Sequence, residues 1–290
     1  MINLEEKLKT PVCINGVKFP NPIWLASGTC GYGEELSEII DLNLLGGLVI
    51  KGTTLKPRDG NLPPRVVETP SGLLNSIGLQ NPGIKEVLKN KIPFLKQFKM
   101  PIIINISGES FSEYAKLTKL ICEANYVQAI EVNISCPNVK KGGLSFGTNP
   151  KSVFKVISSV KKVSKVPVIA KLSPNVTDIT LIAAAAEDAG ADAISLINTL
   201  QGMRFDLKTQ KPVLANCIGG LSGPAIKPIA LRMVYQVKCV TKLPIIGMGG
   251  ISSMADIFEF FIAGADIIQI GTLNLTNVNQ VKSILEKVNS

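Results

Sequence analysis

Residues 129–138 read Ala-Ile-Glu-Val-Asn-Ile-Ser-Cys-Pro-Asn. The run 129–132 is short and mostly apolar, it ends at Asn133, and Pro137 forbids continuation as either strand or helix. A strand end that delivers two asparagines and a cysteine to a turn marks a site rather than a core. The same pattern recurs along the chain, with apolar, β-branched-rich runs at 23–26, 47–50, 102–104, 168–170, 193–196, 245–247 and 267–270. Amphipathic helical stretches at 149–164, 179–189, 225–240 and 254–263 alternate with several of these runs, as crossover helices do with a parallel sheet. Eight such units suggest a closed barrel, and an open doubly wound sheet is the alternative. What separates the two is the residue after each run: Ser27, Lys51, Asn105, Asn133, Lys171, Asn198, Gly249 with Gly250, and Gly271 with Thr272. A barrel gathers all of these on its C-terminal rim, whereas an open sheet gathers only those near its switch point. The expected fold is therefore α/β, a (β/α)8 TIM barrel with long loops over that rim.

Composition narrows the chemistry. The 290 residues suffice for a single barrel domain spanning 1–290. Hydrophobic residues make up 46%, and no window approaches the roughly 20 apolar residues of a spanning helix. The N-terminus, MINLEEKLKT, lacks the basic-then-apolar pattern of a signal peptide, so a cytoplasmic location away from any membrane is expected. There is no histidine, which excludes Ser-His-Asp triads and His-ligated metals and leaves base chemistry to Cys, Lys, Asp, Glu or Tyr. The six cysteines, at 13, 30, 122, 136, 217 and 239, form no Cys-x-x-Cys pair, so no metal site is expected in this chain. The net charge of +9 comes from scattered lysines rather than one basic run. That distribution fits the solvated faces of an enzyme for small anionic ligands better than a nucleic-acid binder.

Three connections exceed ordinary length, 52–101, 135–150 and 199–223, and read as lids because they carry NSIGLQNPG (75–83), SCPN (135–138) and GGLSGPAIKP (219–228). GMGGI (247–251) and IGT (270–272) close the last two runs, where barrels commonly bind phosphate with backbone amides, and Gly223 offers another amide. Lys51 and Lys171, with Asn105, Asn133 and Asn198 between them, make a cationic, hydrogen-bonding bed for a planar anionic ring, and a flavin fits it. Asn75, Asn133, Asn138 and Asn198 suit the amide edge of a heterocycle, with an Asx turn the better reading of Asn138 beside Pro137. Cys136 lies in a Pro- and Gly-rich loop and reads as reactive, while Cys13, Cys122 and Cys239 read as small buried hydrophobes.

With these motifs together the chain resembles the class 1 dihydroorotate dehydrogenases, most closely the class 1B catalytic subunit. The resemblance runs in order through NPIWLASGT (21–29), KGTT, PRVVET, NSIGLQNPG, EVNISCPNVK, KLSPNVTDI, INTLQGMRFDLKT, GGLSGPAIKP, GMGGI and IGT, nearly the whole chain. Class 2 members carry a serine base and a membrane-associating N-terminal extension, where this sequence has Cys136 and no such extension. The resemblance implies FMN held by Ser27, Lys51, Gly52, Asn105, Asn133, Lys171, Ile197, Gly223, Gly249, Gly250, Gly271 and Thr272. It implies substrate contacts from Lys51, Asn75, Ser76, Ile77, Gly78, Leu79, Asn133, Asn198 and Thr199, and Cys136 as the base that takes a proton from dihydroorotate. It further implies a homodimer core in a heterotetramer with a partner subunit that carries FAD and a [2Fe-2S] cluster and passes electrons to NAD. Rival readings are a class 1A enzyme using fumarate, a tRNA-dihydrouridine synthase, and a non-catalytic FMN- or phosphate-binding module. The second would need an RNA-binding domain for which 290 residues leave no room, and the third gives no reason for Cys136 beside Pro137.

Overall fold

The computed structural model describes residues 3–135 and 146–290. Eight parallel strands close into a barrel in sequence order: β1 (Ile23–Leu25), β2 (Gly47–Thr53), β3 (Ile102–Ile106), β4 (Ala129–Asn133), β5 (Val168–Lys171), β6 (Ala193–Leu196), β7 (Ile245–Gly247) and β8 (Ile267–Ile270). β8 returns to β1 with Ile268 opposite Ile23 and Ile270 opposite Leu25, so no edge is left open. The barrel expected from the strand-end residues is thus present, and β2 to β5 each run one to three residues beyond their apolar runs, into the polar positions that end them.

The outer ring includes α1 (Phe111–Ala124), α2 (Pro150–Lys161), α3 (Ile179–Asp188), α4 (Lys227–Lys238), α5 (Met254–Ala263) and α6 (Val278–Asn289). Most start where the sequence supplies a cap. Ser110, Asn149, Asp178, Ser253 and Asn277 each accept a hydrogen bond from a first-turn N–H, and Pro150 follows the Asn149 cap at the position where its missing N–H costs nothing. Between β2 and β3 a helical segment from Ile84 to Leu95 contains a π turn at Val87–Lys91. The helices bury Val153, Val156, Ile157 and Val160 of α2, and equivalent stripes elsewhere, against the outward residues of the strands.

The inward residues form a second core. Trp24, Val49, Ile103, Ala129, Ile169, Ala193, Ile246 and Ile267 are fully buried inside the barrel. An N-terminal hairpin, Val12–Ile14 with Val17–Phe19, adds Ile14 and Phe19 to this cluster, with the Phe19 ring 4.6 Å from that of Trp24. Two of the three long connections pair with each other, which separate loops do not foretell. Strands Val66–Thr69 and Gly72–Asn75 join Leu200–Gly202 and Gly219–Ser222 in a four-stranded antiparallel sheet, with Gly220 opposite Asn75. The third, 135–150, falls largely outside the described residues.

The cysteine reading needs correction. Cys13 and Cys239 are exposed and Cys122 is half-buried, whereas Cys30 is the buried one among the described cysteines. Cys13 points away from the hairpin face that buries Ile14, the neighbour that alternation turns inward.

Candidate active site

Two residues beyond the apolar layer, about 6.6 Å along the strand, six of the eight strands turn polar on the inside, while Ala26 and Met248 stay apolar on the other two. Lys51, Asn105, Glu131, Lys171, Ser195 and Gln269 follow Val49, Ile103, Ala129, Ile169, Ala193 and Ile267 at the inward alternation. Glu131, fully buried on β4, is the hub. Its Oε1 accepts from Asn105 Nδ2 at 2.7 Å and Lys171 Nζ at 3.2 Å, and its Oε2 from Ser195 Oγ at 2.9 Å and Gln269 Nε2 at 3.0 Å. Lys171 Nζ also donates to Ser27 Oγ at 3.3 Å, past the end of β1. A buried carboxylate persists only when paired and hydrogen-bonded, and four donors from four strands meet that condition. The amide oxygens of Asn105 and Gln269 are left buried without a partner among the described residues.

Lys51 is different. It is half-buried, and its side chain has neither an ion pair nor a hydrogen bond among the described residues. Burial lowers its pKa, and the nearby Arg65 guanidinium lowers it further, against the opposing pull of Glu35. Neither of these neighbouring cations has an ion pair among the described residues, and together they attract an anion.

The loop after β2 supplies Asn75 to Leu79. Asn75 Nδ2 donates to Gly220 O at 3.2 Å across the rim sheet, while Ser76 is held by Asn61, whose Nδ2 donates to its Oγ at 2.8 Å. The turn at Gly78 and Leu79 is fixed by buried Asn81, which accepts from the N–H groups of Thr54 and Gly83 and donates to Leu79 O at 2.7 Å. Opposite, Asn198 Oδ1 accepts from Thr199 N at 2.7 Å, and Asn175 ties Ser173 to Thr199 O at 3.0 Å. Asn133 Oδ1 accepts from Ser135 N at 3.1 Å, so Asn133 makes an Asx turn, a reading the sequence favoured for Asn138 instead. The amide N–H groups of Asn133 and Asn198 are left without partners among the described residues. Cys136 and Asn138 lie outside the described residues.

At the ends of β7 and β8 a cleft of about 290 Å³ is lined by Gly72, Leu73, Gly223, Gly250, Ile251 and Thr272, among others. Gly223 and Gly250 hold left-handed φ of 102° and 76°, and a Cβ on Gly250 would lie 2.8 Å from Gly223 O and 2.9 Å from Lys227 N. Only glycine fits there, and its backbone is left bare to the cleft. Gly249, with φ 127°, lies under buried Ile197, whose N–H is taken by Met248 O at 3.0 Å; Gly271 follows on β8. Asp256 of α5 braces this turn. It accepts from Ser252 N and Oγ, both at 2.8 Å, and from Lys227 Nζ at 2.6 Å. Burial alone would raise its pKa, but these donors win and hold it at about 2.

Gly52 sits where a side chain would press on Asn105 Oδ1, at 3.0 Å. The rim thus joins a glycine-lined phosphate-sized cleft, a charged floor and a loop of amides. Sequence reasoning placed Ser27, Lys51, Asn105 and Lys171 here, but missed Glu131, Ser195, Gln269, Asn81, Arg65, Asn175 and Asp256. The one local signal for these was an acidic residue inside the otherwise apolar run 129–132. Cys30, the buried one of the described cysteines, donates to Val49 O at 3.3 Å, and burial pushes its thiol up to about 12. No group of three or more Cys, Asp or Glu among the described residues could hold a metal ion, and no helix among them is long and apolar enough to cross a membrane.

Comparison with known proteins accords with this geometry. The chain is 53% identical over 275 residues to "Dihydroorotate dehydrogenase B (NAD(+)), catalytic subunit" of Thermoanaerobacter pseudethanolicus, covering 95% of this chain and 91% of that one. It is 54% identical to the protein of the same description from Bacillus cytotoxicus, covering 95% and 89%, and 55% identical to that from Listeria innocua, covering 91% and 87%. The family model described as dihydroorotate dehydrogenase matches residues 8–290, and the chain belongs to that family.

Proposed function

We propose that this chain, as one domain over 1–290, oxidises (S)-dihydroorotate to orotate with FMN at the C-terminal rim, in the pyrimidine pathway of the cytoplasm. The observation that carries the reading is the Glu131-centred floor, which holds the Lys171 ammonium and two amide oxygens without partners among the described residues, beside a glycine-lined cleft. These features suit FMN: bare glycine backbone for a phosphate, and orphaned acceptors with an ammonium for a ring edge of N–H and carbonyl groups. Gly223, Gly249, Gly250, Gly271 and Thr272 would hold the phosphate end. Ser27, Gly52, Asn105, Asn133, Lys171 and Ile197 would hold the ring, and Lys51 would serve both ring and substrate.

When bound, FMN supplies the acceptor for the hydride from C6 of the substrate. Cys136, as thiolate, takes the C5 proton, so that one proton and one hydride leave and the C5–C6 double bond forms. Lys51, with Arg65 behind it, neutralises the substrate carboxylate, while the amides of Asn75, Asn133 and Asn198 and the backbone of Ser76 to Leu79, with Thr199, orient the ring. The word "subunit" in the relatives' descriptions supports a partner for this chain, and the partner we propose carries FAD and a [2Fe-2S] cluster in a heterotetramer built on a homodimer. The NAD(+) in those descriptions favours this over a fumarate-linked enzyme, and no observation favours the tRNA or binding-module readings. The test is to mix the purified, flavin-loaded chain anaerobically with dihydroorotate, follow the visible flavin band, and then add NAD. Bleaching that NAD alone does not reverse is expected; a band unchanged by dihydroorotate would refute the assignment.

A further inference from the structure

We infer that Glu131 is a positioning residue that sets the hydrogen-bonding polarity of the barrel floor, an inference that rests on the flavin reading above. An ionised carboxylate only accepts, so every neighbour must turn a donor toward it. Asn105 and Gln269 therefore both face Glu131 with their amide N–H groups, at 2.7 and 3.0 Å. Their oxygens are forced away from it and stay without partners among the described residues, in two side chains with no solvent exposure at all. Lys171 has three N–H bonds, of which Glu131 and Ser27 take two, leaving one with no acceptor among the described residues. One carboxylate thus fixes where two buried acceptors and one ammonium hydrogen lie at the floor of the rim. Exchange of the carboxylate for an amide would let Asn105 or Gln269 flip and would leave Lys171 with a weaker partner.

The test reads cofactor affinity rather than turnover. FMN is titrated into the apoproteins of wild type, Glu131→Gln, Lys171→Met and the double variant, with flavin fluorescence giving Kd. Glu131→Gln is expected to weaken FMN binding about tenfold or more, the scale of one charge-assisted hydrogen bond. The double variant is expected to fall short of the product of the two single losses by about fivefold, because Glu131 acts in part through Lys171. Losses that multiply would reduce Glu131 to a merely structural role and overturn the inference. Should Glu131→Gln fail to fold, Ser195→Ala carries the test, since it removes a single donor to Oε2 and adds no bulk. About two- to fivefold weaker FMN binding is expected there, and unchanged affinity would overturn the inference. Wild type that takes up no FMN would overturn the flavin reading and this inference together; wild type that binds FMN no better than Glu131→Gln would overturn this inference alone.

Discussion

Two layers of the same barrel, one strand repeat apart, differ in almost everything but geometry. The lower layer of Trp24, Val49, Ile103, Ala129, Ile169, Ala193, Ile246 and Ile267 is wholly apolar and is joined by Ile14 and Phe19 of the hairpin. The upper layer is Lys51, Asn105, Glu131, Lys171, Ser195 and Gln269, and all of these but Lys51 are bound together by the Glu131 carboxylate instead of by packing. The strands give both layers the same inward direction. Stability therefore concentrates in the lower one, and the upper one tolerates a buried charge because the layer beneath it keeps its walls fixed. The contrast teaches that site and core in this fold are not separate regions but successive residues of the same strands.

The comparison breaks most sharply if chemistry can be lost without touching either layer. Cys136→Ser is expected to slow flavin reduction by dihydroorotate about 10²- to 10⁴-fold near neutral pH, with both layers and cofactor content intact. Stopped-flow traces at wild-type speed would remove Cys136 from its role. Next is the lower layer itself: Trp24→Ala should cost about 3–5 kcal/mol in chemical denaturation, while the protein that remains folded keeps its turnover per bound flavin. A variant stable but inactive would erase the division between layers. Lys51→Gln should lower kcat/KM about tenfold, chiefly through KM, without changing the melting temperature. In wild type KM should rise as pH climbs through the lowered pKa of Lys51 and its charge is lost, and that limb should vanish in the variant. A group outside both layers makes the control. The Asp256 carboxyl is at about 2 when folded, so its stabilisation is complete above the unfolded value near 4 and is lost as pH falls through about 2. Asp256→Asn should remove about 2 kcal/mol at pH 6 and little at the acid end, which thermal melts at the two pH values would measure.

What the sequence made legible follows from locality. Ile50 to Lys51 and Val132 to Asn133 announce strand ends because polarity changes between neighbours, and eight such changes in series specify a barrel. The partners of Glu131 lie 26, 40, 64 and 138 residues away, so no window contains the network. Within its own run Glu131 breaks an apolar pattern for no local reason. The rim sheet was hidden likewise, since the pairing of Gly220 with Asn75 spans 145 residues and each strand alone is short and weakly patterned. Cys13 misled because cysteine type speaks for burial while the hairpin alternation beside Ile14 speaks against it.

The rim sheet also bears on how such a barrel changes its ligand preference. Because the strand that leads into Ser76–Leu79 is hydrogen-bonded to the strand that leads out of the Thr199 connection, the two segments form one cassette. Grafting either alone onto another barrel would leave a row of backbone donors and acceptors with no counterpart, so the two are exchangeable only as a pair.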